Sequence, residues 1–126
     1  MAASSGRTIL VADDNPDQRA LYVDILTHAG YAVIQAQDGA EAILRAREDL
    51  PSLILMDVTM PGTSGWNAVR AVRDQVETRD IPVIVITGLS ATRDRDASFA
   101  AGCDAYLSKP VSPRRLLEEV RRFVPQ

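Results

Sequence analysis

Several polar residues stand directly at the ends of short apolar runs. Asp13 and Asp14 follow Thr8–Ala12, Asp57 follows Leu53–Met56, Thr87 closes Pro82–Thr87, and Lys109, with Pro110 behind it, comes just after Ala105–Leu107. Carboxylates brought close together repel, and they stay ionised together only when a cation sits among them. Oxygen-only donors with room for water suit Mg2+ better than zinc or calcium. Such an ion neutralises charge at a carboxylate positioned to attack phosphorus. The flexible ammonium of Lys109 suits a phosphoryl oxygen, and the Thr87 hydroxyl can donate to another. Together they fit an aspartyl phosphate site.

Each residue also has a plainer reading. Asp13–Asp14 alone fits a solvated turn or a helix N-cap, and it is Asp57 at an equivalent strand end that makes the pair a candidate metal site. Thr87 alone is a strand terminus and Tyr106 a half-buried aromatic. Composition sets Lys109 apart: of 14 basic residues it is the one lysine, the rest being arginine. Either arginine-rich usage left it by chance, or a compact point charge is needed where a planar guanidinium would not serve. His28 falls near the end of a predicted helix, where its charge suits the dipole. Cys103 reads as a small buried hydrophobe and Trp66 as a partly exposed packing residue.

The elements that must position these residues are legible as alternation. Five strand-length apolar runs (Thr8–Ala12, Ala32–Ala36, Leu53–Met56, Pro82–Thr87 and Ala105–Leu107) are separated by segments of helical period. The continuously apolar LILM and VIVI predict strands covered on both faces, as in a parallel sheet. Leu21, Ile25 and Ala29, with Leu26 beside them, predict the inward stripe of a first helix ending at Gly30. Asp38 caps a second that turns Ile43 and Ala46 inward. Trp66, Val69 and Val72 mark a third after a Pro61–Gly62 turn, with Ser64 as its cap. Residues Ala91–Ala101, closed by Gly102, make a fourth. Leu116, Leu117, Val120 and Phe123 make a fifth, with Ser112 and Pro113 as cap and first helical position. The pattern is (βα)5: an α/β fold with a doubly wound, five-stranded parallel sheet and helices on both faces. In such sheets ligands bind outside the carboxyl ends of the strands, where the polar residues stand.

Composition narrows the function classes. The chain has 126 residues, 46% hydrophobic and 25% charged, enough for one domain with its own core. A net charge of −3 argues against wrapping nucleic acid or binding an anionic membrane surface. Thr8–Ala12 runs straight into two aspartates, so no signal-peptide core follows the start, and no stretch approaches a membrane span. One cysteine excludes an intrachain disulfide and agrees with a reduced, cytoplasmic setting.

VADDN, LILMDVTMPGTSGW, PVIVITG and AYLSKP, in this order and spacing, resemble the receiver domain of bacterial two-component response regulators, in its single-domain chemotaxis-type form. The resemblance covers about residues 7–124, leaving 1–6 as a short polar tail and no output domain. It implies the flavodoxin-like strand order 2-1-3-4-5 and Asp57 as phosphoacceptor. It implies Mg2+ bound by Asp14, Asp57 and the backbone carbonyl of Thr59, with Asp13 acting mainly through water. Thr87 and Tyr106 match the family's switch pair, Lys109 its lysine, and the Lys109–Pro110 bond is expected to be cis.

The function so implied is a phosphorylation-dependent switch in a two-component system or phosphorelay. The chain is then no enzyme in the ordinary sense, but a phosphoacceptor that assists its own phosphotransfer and dephosphorylation. A histidine kinase or histidine phosphotransfer protein supplies the phosphoryl group, and a protein effector reads the face of the fourth helix, fifth strand and fifth helix. That face carries Arg93, Asp94, Arg95, Asp96, Arg114 and Arg115, charges that fit a plain solvated surface as well as partner recognition. Contact with nucleic acid or membrane is not expected, and a monomer or weak dimer is. Gly88 leaves access to Asp57 open, whereas apolar Leu89 stands where a polar residue would orient water, so slow self-dephosphorylation is expected. Ser64 stands where the family often has aspartate.

Two other readings are weaker. A haloacid-dehalogenase-like Mg2+ phosphatase needs a second aspartate two residues after the first, and Thr59 stands there. A receiver-like docking module that is never phosphorylated should have lost part of its Asp–Asp–Lys set, and all three are present. Nucleotide-binding glycine motifs are missing.

Overall fold

The computed structural model describes residues 7–57, 65–88 and 99–125. In chain order these form β1 (Thr8–Ala12), α1 (Pro16–His28), β2 (Ala32–Ala36), α2 (Gly39–Asp49), β3 (Leu53–Asp57), α3 (Gly65–Asp74), β4 (Val83–Thr87), β5 (Ala105–Ser108) and α4 (Pro113–Phe123). Residues 99–101 are also helical and end at Gly102, whose φ of +112° favours glycine at a helix terminus. Thr59, Pro61, Gly62, Ser64, Leu89, the Arg93–Asp96 charges and most of the expected Ala91–Ala101 helix fall outside the described residues. All strand pairs are parallel, in the order β2-β1-β3-β4-β5 expected from the family.

Side-chain alternation along the strands splits the interior into two layers. Leu10, Ala12, Ile54, Met56, Val83 and Val85 pack with α2 and α3, while Ile9, Val11, Leu53, Leu55, Ile84 and Ile86 pack with α1 and α4. β3 and β4 are buried along their whole length, as LILM and VIVI require. Each large aliphatic side chain withdrawn from water there contributes roughly 1.5–3 kcal/mol. The edge strand β2 is exposed at Ala32 and Gln35 and buried at Ala36.

Local capping chemistry fixes the helix starts. Asp38 accepts from the Glu41 amide at 2.8 Å and Ser112 from the Arg115 amide at 3.1 Å, two of the three caps read from sequence. For α1 the cap is Asn15, which accepts from the Gln18 amide at 3.0 Å, with Pro16 at the first helical position. Asp13 and Asp14 are therefore released from capping duty.

The inward stripe of α1 differs from the expectation. Tyr22 and Leu26 are buried, Ile25 and Ala29 only partly, and Leu21 is 54% exposed. The helix is rotated so that the large Tyr22 ring, and not Leu21, fills the space against the sheet.

At the amino ends of β4 and β5 lies a polar lock. The Arg73 guanidinium, at the end of α3, donates to the carbonyls of Gly102 (2.9 Å), Arg79 (3.1 Å) and Ile81 (2.7 Å) and to Asp104 Oδ2 (2.6 Å). Asp104 Oδ2 accepts in addition from the Val83 amide at 2.8 Å. At the chain's end the Tyr31 hydroxyl donates to the Val124 carbonyl at 2.5 Å, tying α4 to the start of β2. No helix among the described residues is long and apolar enough to cross a membrane.

Candidate functional site

The opposite rim, at the carboxyl ends of the strands, collects the polar residues singled out above. Asp13 continues β1 by donating its amide to the Ala36 carbonyl at 3.0 Å. Asp57 is the last residue of β3, one position beyond the expected strand end, and Ser108 likewise extends β5. Asp13 and Asp57 prolong the alternation that sends Val11 and Leu55 toward α1, so both carboxylates lie under the first turn of that helix. Thr87 follows Val85 in the alternation, on the side of α2 and α3, and Tyr106 packs on that same layer.

The carboxylates of Asp13, Asp14 and Asp57 offer oxygens that all lie within 4.8 Å of one another. Asp13 and Asp57 are buried at 0% and 4% exposure, and Asp14 is exposed. Lys109 reaches across from the end of β5, its Nζ 3.0 Å from Asp57 Oδ2. The Lys109–Pro110 bond is cis, as expected, and the Lys109 amide donates to the Thr87 carbonyl at 2.8 Å, joining β4 to the lysine loop. Thr87 itself is fully buried.

Burial pushes the Asp13 carboxyl above its ordinary range, and the Asp57 charge adds to the rise. Hydrogen bonds from Gln18 and the Asn15 amide work in the opposite direction. The Tyr22 hydroxyl is pushed up to about 12, first by burial and then by the charges of Asp13 and Asp57. Two buried carboxylates that repel each other, with an exposed third beside them, form a donor set suited to a hard divalent cation that keeps some of its water. The residues present therefore fit Mg2+.

Two contributors were not foreseen. Gln18 Nε2 donates to Asp13 Oδ2 at 2.5 Å and to Asp57 Oδ2 at 3.2 Å, bridging the pair from the first turn of α1. The Arg19 guanidinium donates to the Asp13 carbonyl at 2.6 Å and to Gln35 Oε1 at 3.0 Å. The available signal was positional: glutamine three residues after a capping asparagine reads as a capping box, and only its place above the rim turns it toward the carboxylates. A cleft of about 430 Å3 opens beside the site, lined by Gln18, Leu21, Tyr22, Gly88, Lys109, Pro110 and Val111. A Cβ at Gly88 would lie 3.8 Å from Lys109 Cδ, an ordinary contact, so the small residue keeps the cleft open without being sterically required.

Other proteins are similar to this chain in sequence and fold. The chain is 35% identical over 118 residues to the polar-differentiation response regulator DivK of Brucella anthropi, covering 94% of this chain and 96% of that one. Among solved structures, Vibrio cholerae chemotaxis protein CheY4 superposes with a TM-score of 0.87 at 32% identity, covering 92% of this chain and 97% of that one. The receiver domain of the Pseudomonas aeruginosa sensor histidine kinase PA1611 superposes with a TM-score of 0.88 at 31% identity, covering 97% of this chain and all of that one (100%). In that structure a magnesium ion is coordinated in the active site cleft. Residues 9–121 match the family described as the response regulator receiver domain. With strand order, rim chemistry and near full-length likeness in agreement, the chain belongs to the response regulator receiver domain family.

Proposed function

We propose that this chain is a phosphorylation-dependent signalling switch of a two-component system or phosphorelay, with Asp57 as its phosphoacceptor and residues 7–124 as the receiver domain. The observation that carries the reading is the 3.0 Å contact of Lys109 Nζ with Asp57 Oδ2, at a rim where three carboxylates gather within 4.8 Å. An Asp57 oxygen attacks the phosphorus of a phosphohistidine on a histidine kinase or histidine phosphotransfer protein. The P–O bond forms as the P–N bond breaks, and the departing imidazole keeps the electron pair and takes a proton from solvent. Lys109 carries the charge gathering on the phosphoryl oxygens, a task of positioning and electrostatics.

Asp14, Asp57 and the Thr59 carbonyl would hold Mg2+ directly, with Asp13 acting through water. When bound, the ion supplies the charge neutralisation that lets one anion approach another. The new dianion draws the Thr87 hydroxyl toward it, and Tyr106 turns into the space so vacated. The face around β5 and α4 then changes its protein contacts, biasing a two-state population. The output is contact with a protein effector rather than with nucleic acid or membrane, in the cytoplasm, by a monomer or weak dimer.

Incubation with acetyl phosphate tests the reading. The expected result is the mass of one added phosphoryl group, acquired with Mg2+ and not in EDTA, and lost on treatment with hydroxylamine. A protein that stays unmodified with Mg2+, or is labelled equally in EDTA, overturns it.

A further inference from the structure

The Gln18 amide stands where a cation would also be attracted. It donates one hydrogen to Asp13 Oδ2 at 2.5 Å and the other toward Asp57 Oδ2 at 3.2 Å, spanning two buried carboxylates that repel each other. Hydrogen bonds to ionised acceptors are among the stronger ones. The backbone that carries the amide is fixed, because Gln18 lies in the first turn of α1 with its own N–H held by the Asn15 cap at 3.0 Å. Asp13 is fixed from its other oxygen by the Asn15 amide at 2.9 Å, so the bridge joins preset partners.

We propose that Gln18 is a positioning residue that clamps Asp13 and Asp57 in the cation-free protein and competes with the divalent cation for their oxygens. This rests on the Mg2+ reading of the site given above. The consequence follows from linkage: contacts made only without the ion stabilise the free state and weaken uptake by the same factor. Gln18 thereby sets how much Mg2+ the site needs before it is loaded. The residue is half-buried and lines the open cleft, so its side chain has somewhere to swing when displaced.

The test is Mg2+ binding by calorimetry, with melting temperatures in EDTA and in saturating Mg2+, for wild type, Gln18→Met and Gln18→Lys. Methionine keeps the length and removes both donors, and lysine places an ammonium in the cation's place. Gln18→Met is expected to bind Mg2+ about tenfold more tightly, the low end for one net hydrogen bond to a charged group. It should also melt below wild type in EDTA, with the gap shrinking in Mg2+. Gln18→Lys is expected to bind several-fold more weakly than wild type. Equal or weaker Mg2+ binding by Gln18→Met, or undiminished binding by Gln18→Lys, overturns the competition while leaving the metal site standing. No uptake by any of the three proteins overturns the metal site and this proposal together.

Discussion

The two rims of the sheet are built from the same ingredients and use them in opposite ways. At the amino ends of β4 and β5, Arg73 meets one carboxylate and three carbonyls, and Asp104 answers with a backbone amide bond as well. Charge there is matched, and four of the five N–H donors of the guanidinium fork are engaged. At the carboxyl ends, three carboxylates gather within 4.8 Å. Lys109 reaches one of them, while Arg19 reaches only the backbone of Asp13. The first rim is a closed lock that stabilises the fold; the second is held in negative excess, a cost to stability that leaves it ready for a cation.

Substitutions that equalise the rims should show the difference, here in order of expected effect on stability. Arg73→Ala strips the lock and leaves Asp104 and three carbonyls short of a donor, and should cost about 3 kcal/mol in urea denaturation. Phosphoryl labelling of the remaining folded protein should persist, because the lock lies at the far end of the sheet. Asp13→Asn should do the reverse, raising the stability of the metal-free protein at neutral pH by about 1 kcal/mol.

The sign follows from the raised Asp13 carboxyl. The folded state binds its proton more tightly than the unfolded chain, so in EDTA the wild type loses stability as pH rises from the ordinary value of 3.8 through the raised one. Urea midpoints at acid and neutral pH should show that slope in wild type and a weaker one in Asp13→Asn. Lys109→Arg keeps the charge and should change stability by less than about 1 kcal/mol, with Mg2+ binding retained. Hydrogen exchange across β4 and β5 should respond to phosphorylation in wild type and not in that variant. Least of all, Arg45→Ala removes 3.9 Å surface pairs with Glu41 and Asp49 and should cost less than about 0.5 kcal/mol.

Much of the closed framework was legible because burial imposes period on sequence. LILM and VIVI gave β3 and β4 with both faces covered, and Asp38 and Ser112 were readable as caps because a side-chain oxygen before a helix has one obvious use. The strand order came from family resemblance, since parallel strands of similar composition carry no address. The face of α1 was misjudged by one residue: aliphatic spacing favoured Leu21, whereas the helix turns Tyr22 inward. The rim was legible where a residue ends a strand, as with Asp13, Asp57 and Lys109. Gln18 and Arg73 were not, because each acts across elements far apart in sequence, Gln18 on Asp57 and Arg73 on Asp104. A side chain that joins distant segments leaves no local pattern.

On the proposed reading the lone lysine has a physical role: a flexible ammonium can stay 3.0 Å from Asp57 and still follow a phosphoryl group built on it. The most direct measurement is intact mass of wild type and Asp57→Asn after incubation with acetyl phosphate and Mg2+, with peptide mapping of the modified fraction. One phosphoryl group on Asp57 in wild type and none in the variant is the expected result. Undiminished labelling of Asp57→Asn, or a mapped phosphoryl group elsewhere in the wild type, would contradict the assignment of the open rim as the phosphoacceptor site.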